Sequence, residues 1–139
     1  MDVSKILESI LRKLSSGIPV SVLPAGTTAT IQVRNYLTAN STAVVIKAGA
    51  GSIYGWNLNN TSATIIYVKI YDKAAASVNP ASDVPIKTLE IAANGSVYQE
   101  PNSIQVTAGT ALSARAVTGY ADTDTTAPAT LPILEWEIV

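Results

Sequence analysis

Ile66-Tyr67-Val68-Lys69-Ile70-Tyr71-Asp72 decides the fold. Its apolar and polar residues alternate, the period of a β-strand with one face in a core. Ile66, Val68 and Ile70 point inward. Tyr67, Lys69 and Tyr71 point to the opposite face. Ser52–Leu58 precedes it and places Tyr54, Trp56 and Leu58 on one side, while Ala43–Ala48 offers Val44 and Ile46. In Ala29–Leu37, Ile31, Val33 and Leu37 oppose Thr30, Gln32 and Arg34, and around Pro19 the residues Ile18, Val20 and Val22 share a side. Downstream lie Ile86–Ala92, Ser96–Gln99, Thr110–Val117 and Leu131–Val139, with a further short strand possible at Ser103–Thr107. The last long strand faces inward through Leu134, Trp136 and Ile138 and outward through Glu135 and Glu137.

Eight to ten such segments in 139 residues, split by Gly, Pro, Asn and Ser clusters, predict an all-β protein. The expected architecture is an antiparallel two-sheet sandwich, jelly-roll-like or Greek key. No sustained helical period follows residue 17, so βαβ units are not expected. Asn94-Gly95 between two strands reads as a hairpin turn. Ala48-Gly49-Ala50-Gly51 and Ala108-Gly109-Thr110 offer positive φ angles. The longest loops are Ala74–Pro85 and Gly119–Pro128. The division is a helix over 1–17 and a sandwich over 18–139.

The helix spans residues 2–15, capped by Asp2 and ended by Gly17. Glu8 and Arg12 form a favourable pair four residues apart, and Arg12 and Lys13 suit the helix C-terminus. Val3, Leu7, Ile10 and Leu14 make a heptad-like stripe that Ile6 and Leu11 broaden. Two heptads are too short to be stable alone. The helix must pack on its own body, on a sister subunit or on a larger partner. Its wide stripe favours a homo-oligomer.

Composition narrows the function. The chain has no histidine and no cysteine. Thiolate and imidazole metal sites, disulfides and histidine-based nucleophilic catalysis are therefore excluded. Charged residues make up only 14% and the net charge is −1. A surface of low charge suits a protein that meets other protein, although Ser, Thr and Asn can also solubilise a neutral domain. Without a basic block, nucleic acid is not an expected partner. No apolar run reaches a membrane span, and the first residues lack the pattern of a secretory signal.

Asp122 and Asp124 in Ala121-Asp122-Thr123-Asp124-Thr125-Thr126 are the best metal candidates, as alternating carboxylates can converge on calcium. The ligands of a calcium loop are otherwise missing, which favours Asp and Thr side chains bonding their own backbone. No cofactor is expected. Glu90, Glu100, Glu135 and Glu137 are the carboxylates a glycosidase could recruit, but no motif supports catalysis. Tyr67 and Tyr71, two apart on the outward side, are the candidate pair for recognising sugar or protein unless something covers that face. Trp56 and Trp136 fall in core registers.

Gly55-Trp56-Asn57-Leu58-Asn59-Asn60, Tyr67-Val68-Lys69-Ile70-Tyr71-Asp72-Lys73-Ala74, Val84-Pro85-Ile86, Leu89-Glu90-Ile91 and Val117 through Pro128 follow one another in a distinctive order. Together they resemble a small β-sandwich domain of tailed-bacteriophage virion proteins, both decoration and tail-associated. The resemblance covers roughly residues 45–139. It implies a capsid decoration, or cement, protein with no catalytic residues. Such a protein is made in the host cytoplasm and sits outside the capsid on the major capsid protein. For the homo-oligomer that the helix stripe favours, a trimer is expected first, since capsid lattices offer threefold positions, and a dimer second, since twofold pairing is commonest. The alternatives are a tail fibre or baseplate component that binds host glycan, and a host-encoded carbohydrate-binding or adhesin module.

Overall fold

The computed structural model describes residues 3–7, 42–100 and 103–139, together with the backbone of 30–34. Residues 3–7 are helical, and all of them are exposed. Nine strands follow among the described residues: β1 (Thr30–Arg34), β2 (Val44–Lys47), β3 (Gly51–Asn59), β4 (Ile66–Asp72), β5 (Lys87–Ile91), β6 (Ser96–Gln99), β7 (Val106–Ala108), β8 (Leu112–Val117) and β9 (Ile133–Ile138). The expected strand around Pro19, and the helix beyond residue 7, lie outside the described residues.

The strands form two antiparallel sheets. One runs β1-β9-β3-β6, and β7 continues along the β6 edge by pairing with the start of β3. The other runs β2-β8-β4-β5. The chain therefore changes sheet at nearly every connection, and this interleaved order is that of a jelly roll. The expected all-β sandwich is the observed one.

The two inner faces interdigitate. Ile46, Leu58, Ile66, Val68, Ile70, Ile91, Leu112, Leu134 and Trp136 are buried in a single apolar cluster with Trp56 and Leu89. Full burial of each large side chain contributes about 1.5–3 kcal/mol, which is what holds the sheets together.

Three local expectations are corrected. A β-bulge between Ile53 and Gly55 shifts the phase of β3, so Ile53 rather than Tyr54 joins the core with Trp56 and Leu58. Asn94-Gly95 is not a hairpin, because β5 and β6 belong to different sheets. Asn94 does take the left-handed conformation, φ 52°, and the Gly95 N–H closes the turn on the Ala92 carbonyl at 3.0 Å. The turn is thus a corner between sheets. Gly49, Gly51 and Gly109 do not use positive φ. At Gly51 a side chain would collide with Lys47 and the Val139 carbonyl, so close packing selects the glycine there.

The same corner is tied by Asn60, which is buried. Its Nδ2 faces the carbonyls of Thr64, Ile91 and Ala92 at 2.8, 3.2 and 3.0 Å, and its Oδ1 accepts from the Ser62 N–H. A buried amide with this many partners fixes the end of β3 against the end of β5.

Candidate functional site

The outer face of the β2-β8-β4-β5 sheet is not open. Lys69, Tyr71, Ser113, Arg115 and Val117 all point away from the apolar core, yet every one is buried. The segments 73–86 and 118–128 cover them. Lys69 and Arg115 are direct cross-strand partners. Like charges at such positions normally repel. Here both are neutralised by carbonyl dipoles from the covering segments. Arg115 donates to the Tyr71 hydroxyl at 2.7 Å and to the carbonyls of Asp124, Asp122 and Pro80 at 2.6, 2.9 and 3.3 Å. Its guanidinium also lies over the Tyr71 ring, 5.7 Å from the centroid. Lys69 donates to the Ala121 carbonyl. Burial, and then Arg115, push the Lys69 ammonium below its ordinary range. Burial lifts the Tyr71 hydroxyl above its own, with Arg115 opposing.

The covering segments are themselves braced. Asp124 accepts from the Gly119 N–H at 2.8 Å and from Thr126 Oγ1 at 3.0 Å. A Cβ at Gly119 would push that carboxylate out of its place, so glycine lets it sit close to the turn. Asp83 pairs with Lys73 at 2.8 Å and accepts from the Asn79 N–H at 2.7 Å. Hydrogen bonds from Lys73 and Asn79 hold its carboxyl below the ordinary range. Asp72 accepts from three successive N–H groups, Gly109 and Thr110 at 2.9 and 2.7 Å and Ala111 at 3.3 Å. These bonds lower its pKa and lock the turn that carries the chain from β7 to β8.

The structure sorts the expected site residues. Tyr71 is 1% exposed and cannot be a surface recognition residue, because the segments 73–86 and 118–128 seal it. Tyr67 is half-buried. It makes an edge-to-face contact with Tyr120 at 5.6 Å and stands opposite Glu90 on β5, so burial and that carboxylate raise its pKa. The two tyrosines do not form one platform. Asp122 and Asp124 sit beside the Arg115 guanidinium, which donates to their backbone carbonyls, and the Asp124 carboxylate is committed to its own loop. Among the described residues no group of three or more metal-ligating side chains comes together. Val3, Ile6 and Leu7 are exposed on the helical segment, while Ile10, Leu11 and Leu14 lie outside the described residues. No described helix is long and apolar enough to cross a membrane.

The outer face of the other sheet differs. Tyr98, Asn57 and Glu135 occupy one cross-strand row over β6, β3 and β9. Asn59 Nδ2 donates to Asn57 Oδ1 at 3.4 Å, and Asn57 Nδ2 donates to Glu135 Oε2 at 3.3 Å. Glu137 is half-buried opposite Gly55, and burial raises its carboxyl above the ordinary range. Trp56, Asn57, Tyr98, Glu135 and Glu137 line a shallow depression of about 110 Å³. The alternation in β3 and β9 marks Asn57, Glu135 and Glu137 as outward residues. Nothing local signals that Tyr98 joins them, because that requires the register of three strands. In comparisons with known proteins, no family model, no curated protein and no solved structure matches this chain.

Proposed function

We propose that this chain is a non-enzymatic structural protein of a tailed-phage virion, a decoration protein that clamps capsid subunits from outside. What supports the reading is how the polar side chains of the resembling motifs, together with Arg115 outside them, are used. Lys69, Arg115 and Asp124 spend hydrogen bonds on backbone groups of the covering loops, Tyr71 accepts from Arg115, and Asp72 ties down the turn from β7 to β8. Lys69, Tyr71 and Arg115 make a second buried layer over the jelly-roll core. Viral capsid domains commonly use this fold, an analogy of architecture that fits a virion role.

The partners under this reading are the major capsid protein and further copies of this chain, a trimer first and a dimer second. Many copies of a modest contact add up to a large stabilisation of the shell. Mixing the purified protein with heads that lack decoration should give saturable, stoichiometric binding and heads more resistant to heat. Binding to tails instead of heads would overturn the decoration role in favour of a tail component.

A further inference from the structure

We propose that the outer face of the β1-β9-β3-β6 sheet binds a neutral oligosaccharide, with Tyr98 as the stacking platform and Asn57, Asn59 and Glu135 as the hydroxyl-binding row. The inference stands apart from the decoration role and holds for a head or a tail protein alike.

Three features carry it. The first is a mixed surface of the kind a sugar ring needs. Tyr98 is 64% exposed at one side, and Ile133, 42% exposed, neighbours Asn59 on the other. Between them lie amides and carboxylates. Sugars present C–H faces that pack on an aromatic ring, and hydroxyls that both donate and accept. The second feature is preorganisation. The Asn59, Asn57 and Glu135 side chains are already aligned by hydrogen bonds of 3.4 and 3.3 Å. Bonds this long are weak, so hydroxyls can replace or supplement them at small cost. The third is relief. Glu137, the partner of Gly55, helps line a depression beside the row.

Charge selects among ligands. Glu135 and Glu137 lie in no ion pair among the described residues, where Lys73–Asp83 is the one such contact. Anionic sugars and phosphate backbones are therefore repelled. A large apolar protein interface would need its centre dry and nonpolar, whereas this centre is amide and carboxylate. A basic peptide is the competing guest.

The test titrates the full-length protein with neutral malto-, cello-, manno- and chito-oligosaccharides and, separately, with an oligo-arginine peptide, following amide shifts by NMR. At least one sugar should give saturable shifts centred on Tyr98, Asn57 and Glu135, insensitive to added salt. Tyr98→Ala should weaken that binding about tenfold without loss of fold, as the side chain is exposed. Tyr120→Ala, which removes an exposed tyrosine elsewhere, should leave it unchanged. Absence of saturable shifts at millimolar sugar would overturn the proposal. So would sugar binding unaltered in Tyr98→Ala, or binding of the arginine peptide alone, lost in salt. None of these outcomes bears on capsid binding, which is read by a separate assay.

Discussion

Trp56 and Trp136 are cross-strand partners on β3 and β9, and their rings meet edge to face, 6.4 Å apart at 69°. Both are buried, and among the described residues neither indole N–H has a hydrogen-bond partner. The pair fills the core by shape at the expense of two unsatisfied donors. Trp56→Ala should cost roughly 3–5 kcal/mol, measured by denaturant unfolding. Trp56→Phe should cost much less, since it keeps an aromatic ring and removes one bare donor. A loss below about 1 kcal/mol for the alanine variant would mean the residue does little packing.

Arg115 joins the two covering segments through a single guanidinium. Arg115→Ala leaves the carbonyls of Asp122, Asp124 and Pro80 without their donor beneath the loops. A bare buried acceptor costs about 1–3 kcal/mol and these are only part-buried, so a total loss of about 2–3 kcal/mol is expected. The second readout is limited proteolysis. Cleavage should appear between residues 118 and 128 before the sandwich itself is cut. Arg115→Lys should rescue little, because one ammonium cannot span the same acceptors.

How far the fold was legible depended on distance along the chain. The alternation of Ile66, Val68 and Ile70 against Tyr67, Lys69 and Tyr71 was readable, because period two is local. So were Leu134, Trp136 and Ile138. The sealing of Tyr71 and Lys69 was not, since the carbonyl over Lys69 belongs to Ala121, 52 residues away. Asn94-Gly95 announced a turn, yet turn chemistry says nothing of which sheet the next strand joins. The bulge at Ile53–Gly55 was likewise hidden, because one extra residue is visible only against the partner strand. Tyr98 was silent for the same reason: its row exists only once β6, β3 and β9 are in register.

Acid stability should report Asp72. Its folded carboxyl lies below the ordinary 3.8, held by the N–H groups of Gly109, Thr110 and Ala111. Its contribution is therefore complete above the unfolded value and is lost as pH falls through the lower folded one. Asp83 acts in the same direction. Asp72→Asn should be less stable than the parent at neutral pH. The difference should shrink steadily below about pH 4. A gap that stayed constant from neutral pH down to about pH 2 would separate the effect from ionisation.

Glu137 should behave oppositely. Burial raises its folded carboxyl above the ordinary 4.5, so ionisation opposes folding. The penalty sets in as pH rises through the unfolded value and levels off above the folded one. Glu137→Gln should thus be more stable than the parent at neutral pH and equal to it below about pH 4. Thermal melts across this range check the sign. A variant less stable at neutral pH would show that the carboxylate makes a favourable contact there.

The helical segment gives the last prediction. Val3, Ile6 and Leu7 are exposed at 66%, 40% and 55%. An apolar helix face left in water costs free energy that association can recover. The sequence continues the stripe through Ile10, Leu11 and Leu14. Deleting residues 1–16 should leave the jelly roll folded, because among the described residues its core cluster runs from Ile46 onward. The same deletion should weaken self-association, and capsid binding under the decoration role. Light scattering of full-length and truncated protein checks this. The full-length chain should form a trimer, or failing that a dimer, and the truncated one a monomer. A full-length monomer at high concentration, destabilised by the truncation, would instead mean that the helix packs on its own domain.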